Sequence, residues 1–340
     1  MDCILYIIIS VLFAGTFLMM LELPYVSGSV LASGAGERIG VRIFGPVLLL
    51  CGLCVPVFWP EYFELMIGGF LKSDGIVNVL PVGIATAVAA MAVKGFSRFS
   101  AVPFAFMASI AGLGLAGGKA ITAAEVLPYI VSWTAAPILC ALFSAIIYMM
   151  FAAWHRRQNT HMALMEARML SASTVAAFIL FPLFSLNNSL IFTYLPSGYG
   201  YRAAAVACVC AVLIWPIVRK PEVFTKWNIA DYELDTNPQS IFSLMAGMIL
   251  CFLLFTSPLP GKIGLASTPL PAGTLYMAAL AGISICGRRT LIDGPQIVKG
   301  AVAMYISPLM AFLVAYCLGR IMDGELTGTL IVLGMILLVA

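Results

Sequence analysis

Three places in this 340-residue chain set polar side chains among apolar neighbours. Glu22 lies between Leu-Met-Met-Leu and Leu-Pro-Tyr-Val. A carboxylate there suits a protonatable relay or part of a sodium site, since a charge in hydrocarbon persists only where it pairs or titrates. The plain alternative is a hydrated helix end, but the apolar run resumes at once after Glu22 and argues for function. Asn187-Asn188-Ser189 interrupts a second apolar run, and its amides and hydroxyl can ligate a cation or donate to an anion. Ser267-Thr268-Pro269, with Thr274 just beyond, opens a third segment. Ser109 brings a hydroxyl to the Gly-rich run 99–118.

The elements that must position these groups are membrane helices. With 62% hydrophobic and 10% charged residues and a mean hydropathy of +1.05, the chain lies far from soluble domains, where charged residues are roughly 25%. Apolar stretches run over Cys3–Leu21, Ile43–Phe58, Ile76–Val93, Phe99–Gly118, Val126–Trp154, Met169–Pro196, Ala203–Val218, Ile241–Pro258, Leu265–Cys286, Ile297–Leu318 and Leu326–Ala340. Most approach the roughly 20 residues needed to span hydrocarbon. Cys3–Leu21 lacks a basic flank and a small-residue cleavage site and is expected to be a membrane helix. The nine cysteines show no CxxC pairing and sit mostly in apolar runs, which disfavours a disulfide framework or zinc site.

Two patterns recur in order. Ser33-Gly34-x-Gly36-x-Arg38 returns 164 residues later at Ser197, and Met107-Ala-Ser-Ile-Ala-Gly112 returns 170 residues later at Met277. The expectation is a duplication: a first repeat over 1–154, a cytoplasmic linker over 155–168, a second repeat over 169–320 and an extra C-terminal helix over 321–340. With the N-terminus outside, thirteen of the eighteen Lys and Arg fall in cytoplasmic loops, leaving Lys72, Lys119, Arg202, Lys262 and Arg320 outside. Five crossings per repeat then make the two copies inverted. The fold expected is an all-α integral membrane protein of two inverted repeats, with some helices broken or re-entrant.

The first stretch of each repeat exceeds 30 residues, running to about Gly36 and Gly200, and Pro24 in one and Asn187, Asn188 and Pro196 in the other predict breaks. Broken helices are tolerated at membrane depth only where they face protein or a water-filled cavity, and their ends can hold ions. The fourth stretches, 99–118 and 264–287, are dense in Gly, Pro, Ser and Thr, which suits a hairpin or discontinuous helix. Close helix packing is the alternative and the better account of Gly112, Gly114 and Gly282, while Ser267-Thr268-Pro269 could cap a helix.

These residues resemble the inorganic phosphate transporter family, which also includes sulfate permeases and is built from inverted repeats. Glu22 falls where the family's first Asp sits, and Gly28-Ser29-x-x-x-Ser33-Gly34-Ala35 matches its G-T-x-x-x-S-G-A at the same spacing. Asn188-Ser189 falls on the second-half N-D pair, and Pro103 and Gly112 keep the frame of the first P-x-S-T-T-H segment. Tyr129-Ile-Val-Ser-Trp-Thr-Ala-Ala-Pro137 looks like the family's I-V-x-S-W-x-x-x-P helix, with Pro308 as its second-half counterpart. The S-T-T-H positions hold Ala105, Phe106, Met107 and Ala108 in the first half and Leu275, Tyr276, Met277 and Ala278 in the second. The scaffold residues are kept and most polar ligands are replaced.

The resemblance implies a secondary transporter of a small inorganic anion, phosphate-like or sulfate-like, working by alternating access with Na⁺ or H⁺ as coupling ion and no other cofactor. Together with the polar residues of the broken and Gly/Ser-rich stretches, it points to substrate binding by Ser29, Ser33, Asn187, Asn188, Ser189, Ser267, Thr268 and Thr274, and ion coupling through Glu22, Asn188 and Ser109. A transport-inactive relative with a structural or regulatory role is the rival. No nucleophile elbow, Gly-rich phosphate loop or Ser/His/Asp set argues for an enzyme, and the charge of +3 follows loop bias rather than nucleic-acid binding. His155 and His161, spaced i, i+6, make a poor metal pair. The anion and the lipid bilayer are the expected partners, a homodimer is an allowed assembly, and short loops suggest a bacterial inner membrane.

Overall fold

The computed structural model describes residues 26, 79–97, 99, 101–157, 162–193, 237–257, 267–287, 292–323 and 334. Among these are seven α-helices and no strand: α1 Val79–Lys94, α2 Val102–Ala116, α3 Ala123–Arg157, α4 Met162–Thr193, α5 Pro238–Thr256, α6 Ala272–Cys286 and α7 Gly294–Met322. Four stretches are long and apolar enough to cross a membrane: Val126–Arg156, Leu164–Phe184, Pro238–Thr256 and Gly294–Met322. Large apolar residues on α3, α4 and α7, among them Ile138, Met150, Val175, Val298 and Leu309, are more than half exposed. In water that surface would be costly; against lipid it is not. Over the described residues the protein is all-helical, and it is membrane-embedded.

Expected stretches and observed helices differ at their ends. Val126–Trp154 extends to Ala123–Arg157, and the linker 155–168 is helical up to Arg157 and again from Met162. The two Gly/Ser-rich segments contain single helices, α2 and α6, with no reversal inside either. Each has 15 residues, about 22 Å at 1.5 Å per residue, short of the roughly 30 Å of hydrocarbon. Pro103 stands in the first turn of α2, where its missing N–H costs nothing, and Pro271 precedes α6 as its N-cap. Both helices are mostly buried, with Phe104, Phe106 and Tyr276 among the largest enclosed side chains. Glu22, Ser29 and Ser33, the apolar stretches 3–21, 43–58 and 203–218, and most of 326–340 lie outside the described residues.

Each short helix packs on a long helix distant in sequence. α2 lies chiefly against α7, and α6 against α3; α1 packs on α2 and α7, while α5 packs on α3, α4 and α6. Two glycines set the closest approaches. A Cβ on Gly112 would run into the backbone of Phe312, and one on Gly282 into the backbone of Ala141. Only a hydrogen side chain lets these helices meet backbone to backbone.

Gly112→Ala and Gly282→Ala should each therefore cost about 1–3 kcal/mol through overpacking. Gly114 is the control, because a Cβ there meets only the flexible Lys119 side chain at 3.8 Å. Gly114→Ala should be neutral or stabilising by up to about 1 kcal/mol. Thermal midpoints of the purified variants check both, and equal midpoints for all three substitutions would contradict the packing.

Candidate functional site

The segment before α6 is a described stretch where backbone runs extended through the core. Residues 267–270 lie outside the helices, and Ser267, Thr268 and Leu270 are at most 1% exposed. Buried backbone groups without partners are expensive, and here a side chain of α4 and a main-chain carbonyl of α5 supply partners. Asn187, on α4 and fully buried, donates from Nδ2 to the Leu270 carbonyl at 2.8 Å, and its Oδ1 accepts the Leu270 N–H at 2.6 Å. This two-point grip copies what a neighbouring strand would offer. It also fixes the amide's orientation, since a flip would set donor against donor and acceptor against acceptor.

The remaining groups close around that grip. Thr256, at the end of α5, donates to Asn187 Oδ1 at 3.2 Å. The Thr268 N–H donates to the Phe255 carbonyl at 3.1 Å, and the Ser267 hydroxyl to the Ser257 carbonyl at 2.8 Å. The Thr268 hydroxyl donates to Ser132 Oγ of α3 at 3.1 Å, while Ser132 shares its hydrogen between the Pro128 and Tyr129 carbonyls, both at 3.0 Å. Beside it Trp133 stacks on Phe104 of α2 with ring centroids 4.5 Å apart, and its indole N–H is buried with no hydrogen-bond partner among the described residues. The cluster thus joins α3, α4, α5 and the approach to α6 with neutral groups only.

The expected site residues separate into groups. Asn187, Ser267 and Thr268 come together as one polar centre. Thr274 faces its own helix start, donating to the Pro271 carbonyl at 3.0 Å. Ser267 and Thr268 do not cap α6; Pro271 is the N-cap and no side chain closes that turn. Ser109 belongs elsewhere: it donates to Phe106 O at 2.7 Å and lies 3.2 Å from the Thr86 hydroxyl of α1. It shares no hydrogen-bond partner with Asn187. Asn188 and Ser189 continue α4, but their side chains, like Glu22, Ser29 and Ser33, are outside the described set. Ser132 and Thr256 escaped the sequence reading of the site, although Ser132 stands in the Ser-Trp pair of the helix that resembles the transporter family; Thr256, at the end of an apolar run, carried no signal.

Chemically the centre offers hydroxyl and amide oxygens in a dry setting, suited to a small desolvated cation, and amide hydrogens suited to an anion. Most donors are already engaged with main-chain carbonyls or with one another. No three His, Cys, Asp or Glu side chains gather among the described residues. The chain matches no family model, no curated protein and no solved structure. The class that fold and site define is accordingly a broad one, an all-helical membrane protein with a neutral polar centre beside an unwound segment.

Asn187→Leu should leave the Leu270 N–H and C=O unpaired at once, costing about 2–6 kcal/mol at about 1–3 kcal/mol for each group. Thr256→Val removes one weaker bond and should cost about 1 kcal/mol. Unfolding in detergent micelles compares them; a Thr256→Val loss equal to that of Asn187→Leu would rule out the grip.

Proposed function

We propose that the chain is a secondary transporter of a small inorganic anion, phosphate-like or sulfate-like, coupled to Na⁺ or H⁺ and working by alternating access. The observation that carries this is the buried, unwound segment 267–271 leading into a short helix and held by side chains from α3, α4 and α5. Irregular backbone at membrane depth belongs where it lines a site, and transporter binding centres are commonly built from discontinuous helices. The resemblance of Glu22, Ser29, Ser33, Asn188, Ser189 and Pro137 to positions of the phosphate transporter family points the same way.

Helix pairing supports the duplication that this mechanism uses. Exchanging α1 with α5, α2 with α6 and α3 with α7 maps each of the packing pairs α1/α2, α1/α7 and α2/α7 onto another observed pair. Gly112 meets α7 four residues past Pro308, and Gly282 meets α3 four residues past Pro137. In this reading the two halves exchange their short helices, and rocking one half against the other exposes the polar centre to alternate sides. The coupling ion would use Glu22 with Asn188, the positions that the resemblance assigns to it.

The rival, a transport-inactive membrane subunit, is favoured by one feature: hydroxyls that could face an anion are spent on carbonyls of the protein itself. Uptake separates the two. In proteoliposomes the parent should accumulate labelled phosphate or sulfate when a Na⁺ or H⁺ gradient is imposed, and Glu22→Gln should cut that uptake at least about tenfold, a barrier change of about 1.4 kcal/mol or more. Absence of uptake of both anions under every gradient would leave the rival.

A further inference from the structure

α3 packs chiefly on α5 and α6, and α7 on α1 and α2. The two long helices nevertheless meet at an exposed point, where the Tyr305 hydroxyl lies 3.3 Å from Thr134 Oγ1. Thr134 gives its own hydrogen to the Ile130 carbonyl at 2.9 Å, so Tyr305 is the donor across the pair. Both residues lie inside apolar spans, where water competes little for such a bond.

The two residues hold equivalent positions. Each stands three residues before a proline inside its helix, Pro137 in α3 and Pro308 in α7. The offset of 171 residues from Pro137 to Pro308 also carries Ala141, on which Gly282 rests, to Phe312, on which Gly112 rests. Burial repeats at the same offset. Leu127, Val131 and Ile138 are exposed on α3, and so are their counterparts Val298, Val302 and Leu309 on α7. Ala136 and Cys140 are buried, as are Ser307 and Ala311.

When two equivalent halves trade conformations, every separation between them passes to the counterpart pair. That between Leu127 and Leu309 becomes the one between Val298 and Ile138. Thr134 and Tyr305 exchange into each other, so their pair maps onto itself. We infer, resting on the alternating access proposed above, that Thr134 and Tyr305 form its pivot: α3 and α7 turn about this bond, which is kept in both states while separations on either side of it open and close in turn. A single bond between two hydroxyls holds two helices at a point, whereas a broad interdigitated face would resist rotation. The prolines suit the same place. Each lacks the N–H that would bond the carbonyl four residues back, so both helices bend most easily at the level of the contact.

Pulsed electron spin resonance on the full chain in proteoliposomes, with spin labels on genetically encoded keto amino acids, leaves the native cysteines in place. Labels at exposed positions read three separations: 131 with 302, 127 with 309, and 138 with 298. Samples hold Na⁺ or K⁺, at acid or alkaline pH, with or without phosphate or sulfate. The first pair should give one distance throughout. The other two should share the same two distances, one pair lengthening wherever the other shortens. Tyr305→Phe should widen the distribution between 131 and 302, while Thr134→Ser, which keeps the acceptor, should leave it narrow. The pivot is overturned by a split distance between 131 and 302, by outer pairs that stay single or move together, or by equal widths in the two variants. Missing anion uptake beside distances that do pivot would sink the cargo proposed above and leave the pivot standing.

Discussion

Backbone that leaves a helix inside an apolar core must find its hydrogen bonds from side chains, and in this protein that demand falls on Asn187. Its amide meets both polar groups of Leu270, and the position of α6 follows from it. Without that pairing the extended run 267–271 would bury an N–H and a C=O with nothing to replace water. The hydroxyls of Ser267 and Thr268 extend the same service, tying the run to the end of α5 and the middle of α3. Four separate pieces of chain are thereby held at one depth by neutral bonds, each worth little alone and costly to leave unmade.

Proline sets where such bonds are needed. Pro128 and Pro137 lie inside α3, Pro182 inside α4 and Pro308 inside α7. Each removes a helical donor, and membrane helices tolerate this because nearby hydroxyls and neighbouring helices engage the freed groups. The Ser132 hydroxyl bonds back to the Pro128 carbonyl one turn earlier in the same helix. The thiols take part as well: Cys140 reaches the Leu275 carbonyl and Cys251 the Ala136 carbonyl, both at 3.4 Å, bridging α3 to α6 and α5 to α3. Small polar side chains thus act as ties between helices whose apolar faces gain little from lipid exclusion alone.

How much of this could be read beforehand depends on the range of the signal. Hydropathy is local, so the apolar runs at 126–154, 241–258 and 297–318 anticipate α3, α5 and α7 to within a few residues. The sequence also marks Asn187 and Ser-Thr-Pro at 267–269 as out of place among apolar neighbours. Their meeting across 83 residues is not a local property, and neither is the choice of Thr256 as third partner. Gly and Ser density at 99–118 and 264–287 allowed a hairpin or a discontinuous helix, with close packing the better account of Gly112 and Gly282; both glycines do admit a neighbouring backbone, and Ser109 bonds within its own helix and lies against Thr86. Composition does not distinguish a glycine that bends a chain from one that lets two chains touch.

That touching has a mechanical consequence. Where Gly112 rests on the backbone of Phe312 and Gly282 on that of Ala141, no rotatable side chain lies between the two helices to absorb a shift. Close-packed atoms without slack transmit displacement rather than damp it. α2 with α7, and α6 with α3, are thus rigid couples, and any tilt of a long outer helix carries its short inner partner with it. Leverage applied at the lipid-facing surface arrives undiminished at the protein's interior.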